Sequence, residues 1–230
     1  MRSRPRIPVW RKGQKLELME SARMKEATAK EHSLIFTAES VRAILEGRKS
    51  QTRRVVPLLL PGDKKYINAA SRDEWIAALV KQCHYGVPGD RLWVRETFSI
   101  NSVDAGTASV GYKERLPQGK TIADTDGGLN VFHIDREEWK WAEAHVDSEK
   151  WRSPLFMPRW ASRLTLEIIR VRVQRVQEIG LEDVQCEGVI FTPQSSLKQV
   201  RMQFAHLWDS LNAKRGYPWE SNPWVWVITF

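Results

Sequence analysis

The chain has 230 residues, 42% hydrophobic and 28% charged. That length suits one domain with an extension, and the composition suits a packed core. No run of about 18 apolar residues exists and the N-terminus lacks an apolar signal-type segment, which argues against a membrane span and against secretion. Thirty-six Lys and Arg against 28 Asp and Glu leave a net charge of +8, a balance that points to a polyanionic partner, most simply nucleic acid.

Two cysteines, Cys83 and Cys186, do not make a disulfide framework, so a cytoplasmic location is expected. Cys83-His84 has no second Cys or His pair at ligand spacing, so neither a metal nor another cofactor is expected. Eleven tryptophans are mostly core or pocket walls, with a few candidates for base stacking.

In chain order, residues 1–33 hold nine Lys or Arg against four Glu and read as a basic, disordered extension, with at best a weak helix over 12–30. Residues 34–230 read as the folded domain. Leu34–Phe36 is a strand candidate. Thr37 caps a helix whose apolar face is Val41, Ile44 and Leu45, and Gly47 stops it. The basic stretch Gly47–Arg54, "GRKSQTRR", follows as a loop. Its spacing alone reads as solvated charge. "LLLPGDKKY" and "GVPGD" are turns, with a helix over Arg72–Gln82 between them. "RLWVRETF" alternates, Leu92, Val94 and Phe98 opposing Trp93, Arg95 and Thr97, while Glu96 interrupts the apolar face and is expected at a rim or a pocket.

Residues 101–148 are polar and Gly-rich, with weak strand signals at 108–112 and 131–134, and read as an irregular insertion or lid. "LTLEIIRVRVQRV" is the clearest strand. Its apolar parity switches at Ile168-Ile169, which predicts a bulge or a bend between two sheet regions. A short helix spans Gly180–Glu187 and ends at Gly188. A longer one covers Ser196–Asn212, with Leu197, Val200, Phe204, Leu207, Trp208 and Leu211 on one face and capping-box spacing from Ser196 to Gln199. "NPWVWVITF" is a terminal strand. The sum is an α+β fold, most simply a closed barrel flanked by helices.

The "ILEGRKSQTRR" loop, "GDRLWVRETF", the long strand, "EIGLEDVQCEG" and the terminal "WVWVITF" occur in an order that resembles the ASCH domain. "LWVRE", "MPRWASRLTLEI", "LWDSLN" and "YPWESNPWVWVI" look most like its phage- and prophage-encoded branch. The resemblance implies a PUA-like mixed β-barrel with an insertion, a location in a bacterial host or phage-infected cell, and a partner that is RNA, single-stranded nucleic acid or a modified nucleoside. More distantly the chain is similar to N4-acetylcytidine amidohydrolases. That similarity implies a catalytic set of Lys49 and Thr52 in the loop and Glu187 in "QCEG", although Ser50 departs from the usual Thr.

A lysine serves as a base only when neutral, a state favoured by burial and by neighbouring cations such as Arg48, Arg53 and Arg54. Glu187 would protonate the leaving amine. Alternatively, it pairs with Lys49 and holds it charged. Candidate nucleic-acid contacts are Arg48, Arg53, Arg54, Arg95, Arg159 and Arg163, with Trp93 and Trp160 as stacking residues. For each Trp, core packing is the competing reading. For Arg170, Arg172 and Gln174, which share one strand face, the choice lies between a basic strip and the wet side of a sheet. The alternatives to a nucleic-acid-binding or amidohydrolase function are a ribonuclease and a non-catalytic phage accessory or structural protein.

Overall fold

The computed structural model describes residues 29–57, 71–104, 106–114 and 130–230. The expected weak helix over 12–30 falls almost wholly outside these residues, as does the whole of the "LLLPGDKKY" turn. The described chain is α+β, with ten strands in three sheets and five α-helices. Among the described residues no sheet closes into a barrel, and no helix is long and apolar enough to cross a membrane.

The first sheet has the order β1 (Glu31–Ile35), β3 (Arg91–Arg95), β8 (Thr165–Glu167). β1 runs parallel to β3, and β8 runs antiparallel to it. The second has the order β2 (Gln51–Val55), β10 (Trp224–Thr229), β9 (Arg170–Arg175), with both pairings antiparallel. The long strand passes from one sheet to the other between Ile168 and Ile169. Ile168 N–H donates to Asp90 O and Ile169 N–H donates to Thr229 O, each at 2.8 Å. This corner explains the parity switch, because both halves of the strand turn apolar residues (Leu164, Leu166 and Ile168 before it, Val171 and Val173 after it) into one shared core, while Ile169 at the corner is exposed.

Between the two sheets lies the main core, with Leu34, Leu92 and Val94 from the first and Val171, Val173, Trp226 and Ile228 from the second. The other face of β10 presents Val225 and Val227 to a second core with Val184, Val200, Phe204 and Trp208. β10 is therefore covered on both sides, and its sequence is apolar at nearly every position.

Two helices cover that second core, α4 (Leu181–Cys186) and α5 (Leu197–Asn212). α5 begins with a full capping box between Ser196 and Gln199. Its buried stripe is Val200, Phe204, Trp208 and Asn212, while Leu197, Leu207 and Leu211 lie outward. The buried stripe is thus rotated from the expected one. Asn212 is tolerated inside because its amide donates to Trp208 O at 3.1 Å.

The described residues between 98 and 152 are more regular than their sequence suggests. β4 (Phe98–Asp104), β5 (Thr107–Tyr112), β6 (Val131–His133) and β7 (Asp147–Arg152) form a third sheet of order β6-β5-β4-β7. α3 (Arg136–Glu143), between β6 and β7, closes a small core of its own with Ala142 against Ala108 and Ile134. Glu96 joins this unit to the rest. It lies neither at a rim nor in a pocket, because Arg163 holds both of its oxygens at 2.8 Å in a buried pair. Burial still pushes the Glu96 carboxyl above the usual range, against the pull of Arg163. Arg42, on α1 (Ala38–Leu45), adds an exposed bidentate pair with Glu114. The remaining helix, α2 (Arg72–Lys81), is capped by Ser71 and buries Leu79.

Candidate functional site

The basic stretch begins as α1 ends. Thr37 caps the helix start, and Gly47 takes φ +74° at its end, a left-handed conformation that glycine adopts without strain. The N–H groups of Arg48 and Lys49 then both donate to Ala43 O, at 2.8 and 3.0 Å. Ser50 N–H donates to Cys186 O at 2.9 Å, and Lys49 forms an antiparallel bridge with Glu187. The end of α4 is thereby zipped to the start of β2. Gly188 makes this approach possible. It has φ +86°, and a Cβ there would sit 2.8 Å from the Ala43 Cβ.

These backbone contacts place Lys49 against Glu187 across 138 residues of sequence. Lys49 Nζ donates to Glu187 Oε2 at 2.7 Å and to Glu187 O at 2.9 Å. Arg53 Nη1 donates to Glu187 Oε1 at 2.9 Å, and Arg53 Nη2 donates to Asp183 Oδ2 at 2.9 Å. Asp183 and Glu187 are four residues apart, one helical turn, so a single guanidinium spans both carboxylates. The Arg53 side chain is 1% exposed and lies over the Phe204 ring, 5.7 Å from its centroid. Arg172 adds contacts to Gln51 Oε1 at 3.2 Å, to Gln174 Oε1 at 3.0 Å and to Asp183. Arg172, about a third exposed, therefore stands at the edge of this network and is tied into it.

Burial pushes the Lys49 ammonium below the usual lysine range. Glu187 opposes that shift, and Arg54 and Arg53 reinforce it. Lys49 Nζ and Glu187 Oε2 are thus in direct contact at 2.7 Å, the pairing foreseen as the alternative to a free Lys49.

Thr52 does not share this face. The register pairs Thr52 with Ile228 and Arg53 with Val227, and Ile228 and Val227 belong to different cores. Successive strand residues point to opposite sides of a sheet, so Thr52 faces the main core while Gln51 and Arg53 face α4. The stretch read as one loop is half strand, and its alternation separates two of the three expected catalytic residues.

The expected nucleic-acid contacts divide in the same way. Arg48 pairs with Glu46 and donates to Gly188 O at 2.7 Å. Arg53 is consumed by the internal network. Arg54 donates to Ile35 O at 2.7 Å and lies over Phe36. Arg163 is buried on Glu96, so it does not stand on a rim. Trp160 packs edge-on to Phe132 and Trp141 in the third sheet's core.

Trp93, Arg95 and Arg159 do come together, on the outer face of the first sheet. Trp93 and Arg95 are two apart on β3 and point outward while Leu92 and Val94 point in. The guanidinium carbons of Arg95 and Arg159 lie 5.4 and 6.0 Å from the Trp93 ring centroid, within cation–π range. Arg159 also holds Glu31 through an exposed bidentate pair at 2.7 and 3.0 Å.

Sequence reasoning missed Gln51, Asp183 and the role of Arg172. The spacing of Asp183 and Glu187 on one predicted helix was the available signal. Among the described residues no cluster of His, Cys, Asp and Glu suits a metal ion. No family model, no curated protein and no solved structure matches the chain.

Proposed function

We propose that the chain is an ASCH-like protein that binds nucleic acid through the outer face of its first sheet. The observation that carries this reading is the half-buried Trp93 flanked by Arg95 and Arg159 on a surface strand. Guanidiniums held against an indole can turn their outer N–H groups to phosphate or base edges. The exposed Arg159–Glu31 pair is a weak competitor for such an anion, because surface pairs contribute about 0–1 kcal/mol. The net charge of +8 favours a polyanionic partner in general, although +5 of it lies in residues 1–33.

A PUA-like barrel is part of this reading. It is supported by the Ile168-Ile169 corner, where the chain passes directly from β8 of the first sheet into β9 of the second. The seam left between β2 and β1 is spanned by the Arg54 side chain on Ile35 O.

The test is equilibrium binding of a fluorescent single-stranded RNA and of the matching DNA at several salt concentrations. Affinity is expected to fall steeply with salt. The double variant R95A/R159A is expected to flatten the slope by about 1.4, roughly 0.7 for each phosphate left without its cation. Absence of binding at low salt, or an unchanged slope in the variant, contradicts the reading.

The buried Lys49–Glu187 contact favours a second reading, hydrolysis of an N4-acylated cytosine nucleoside. With Thr52 on the opposite face, water is the nucleophile and the Lys49–Glu187 pair is the proton relay. Turnover of N4-acetylcytidine that survives Thr52→Val and disappears in Lys49→Met is the expected result. No wild-type turnover across several acylated bases removes this reading and leaves the binding one intact.

A further inference from the structure

The turn Ser153–Pro158 holds two large apolar side chains in solvent beside the Trp93 face. Leu155 is 64% exposed and Phe156 is 68% exposed. Single exposed apolar residues are ordinary, but this pair is held out by a fixed support. Ser153 Oγ accepts from Leu155 N–H, Phe156 N–H donates to Ser153 O at 3.0 Å, and Met157 N–H donates to Pro154 O at 3.2 Å. Pro154 and Pro158 restrict the backbone on either side. Met157 is 2% exposed, and its sulfur accepts from Glu96 N–H at 3.4 Å. The Arg95 guanidinium donates to Leu155 O. Tucking Phe156 inward would break several of these contacts at once.

The charge around the turn narrows the choice of partner. Arg95 touches it, and Arg152 and Arg159 flank it in sequence. One nearby acid, Glu31, already accepts from Arg159, and another, Glu167, lies across from Arg91 on the same face. A flat apolar group carried on an anionic backbone satisfies both features, and an unpaired nucleobase is such a group. A duplex hides its base faces, so the complementary ligand is single-stranded.

We propose that Phe156, with Leu155 beside it, is a stacking post for an unpaired base of a single-stranded nucleic acid whose phosphates meet Arg95 and Arg159. The proposal rests on the nucleic-acid reading above. Because the ring is exposed, Phe156→Ala removes a binding surface and not a core contact.

The test compares three probes of equal length in direct binding: an oligothymidylate, an abasic deoxyribose-phosphate oligomer, and a duplex. The wild type is expected to prefer the oligothymidylate to the abasic oligomer. Phe156→Ala is expected to weaken oligothymidylate binding about tenfold. Its binding to the abasic oligomer and to the duplex, and its salt slope, stay unchanged. Phe156→Tyr retains the wild-type preference. If the oligothymidylate binds but Phe156→Ala changes nothing, or weakens the abasic oligomer equally, the stacking post is wrong while the nucleic-acid reading stands. If no probe binds, both fall.

Discussion

The two arginine-rich regions of this molecule are opposites. Around α4, three cations (Lys49, Arg53 and Arg172) meet Asp183 and Glu187 in a network that is largely closed to solvent. On the outer face of the first sheet, Arg95 and Arg159 meet an indole and one exposed carboxylate. A cation whose donors are spent on buried carboxylates contributes to specifying the fold, since freeing it leaves an uncompensated charge inside. A cation parked on an aromatic ring at the surface gives up little when it turns to a phosphate. A count of basic residues in sequence does not distinguish the two, and "GRKSQTRR" is the case in point.

The sharpest way to break this contrast is at Glu187. Glu187→Ala removes the carboxylate partner of buried Lys49 and leaves Arg53 with Asp183 alone, and is expected to cost about 3–5 kcal/mol in chemical denaturation. A loss below about 1 kcal/mol would mean that the network is wet and adaptable, which would favour a working site. Lys49→Met is expected to cost less, about 1–2 kcal/mol, because Glu187 keeps Arg53 as a partner. It should leave oligonucleotide affinity untouched. On the other face the pattern reverses. Arg159→Ala is expected to change stability by under about 1 kcal/mol, to weaken single-strand binding severalfold and to lower the salt slope by about 0.7.

The smallest effect is a pH dependence that separates general acid stability from these two clusters. Burial raises the Asp90 carboxyl, but the N–H groups of Lys30 and Val87 and the His32 ring outweigh it and hold it below the usual aspartate range. A depressed folded-state value means that this stabilisation is present above the unfolded value, near pH 4, and is lost as pH falls through the folded value. Asp90→Asn should flatten that part of an acid-unfolding curve and leave the curve near neutrality parallel to the wild type.

Much of the scaffold was legible where one physical rule acts alone. Ser196 with Gln199, Gly47 and Gly188 mark helix ends through local chemistry, and the parity switch at Ile168-Ile169 reports a corner between sheets. The insertion was harder, because its strands are only three to seven residues long and β4 and β7 mix polar residues into both faces, although β5 alternates cleanly. The partner of Glu96 was invisible because Arg163 lies 67 positions away. The approach of Lys49 to Glu187 was expected only through a family resemblance. The separation of Thr52 from Arg53 follows from strand alternation, but both faces of β2 carry polar residues, so no apolar period announced the strand.

The most direct measurement is photocrosslinking of the full chain to a single-stranded oligonucleotide, with the modified peptides mapped by mass spectrometry. Crosslinks are expected within residues 91–95 and 151–160, at Trp93 and Phe156 above all, and none within 181–188. Crosslinks concentrated on 47–54 and 181–188, with none on the first sheet's outer face, would place the ligand at the Lys49–Glu187 cluster and contradict binding through the Trp93 face.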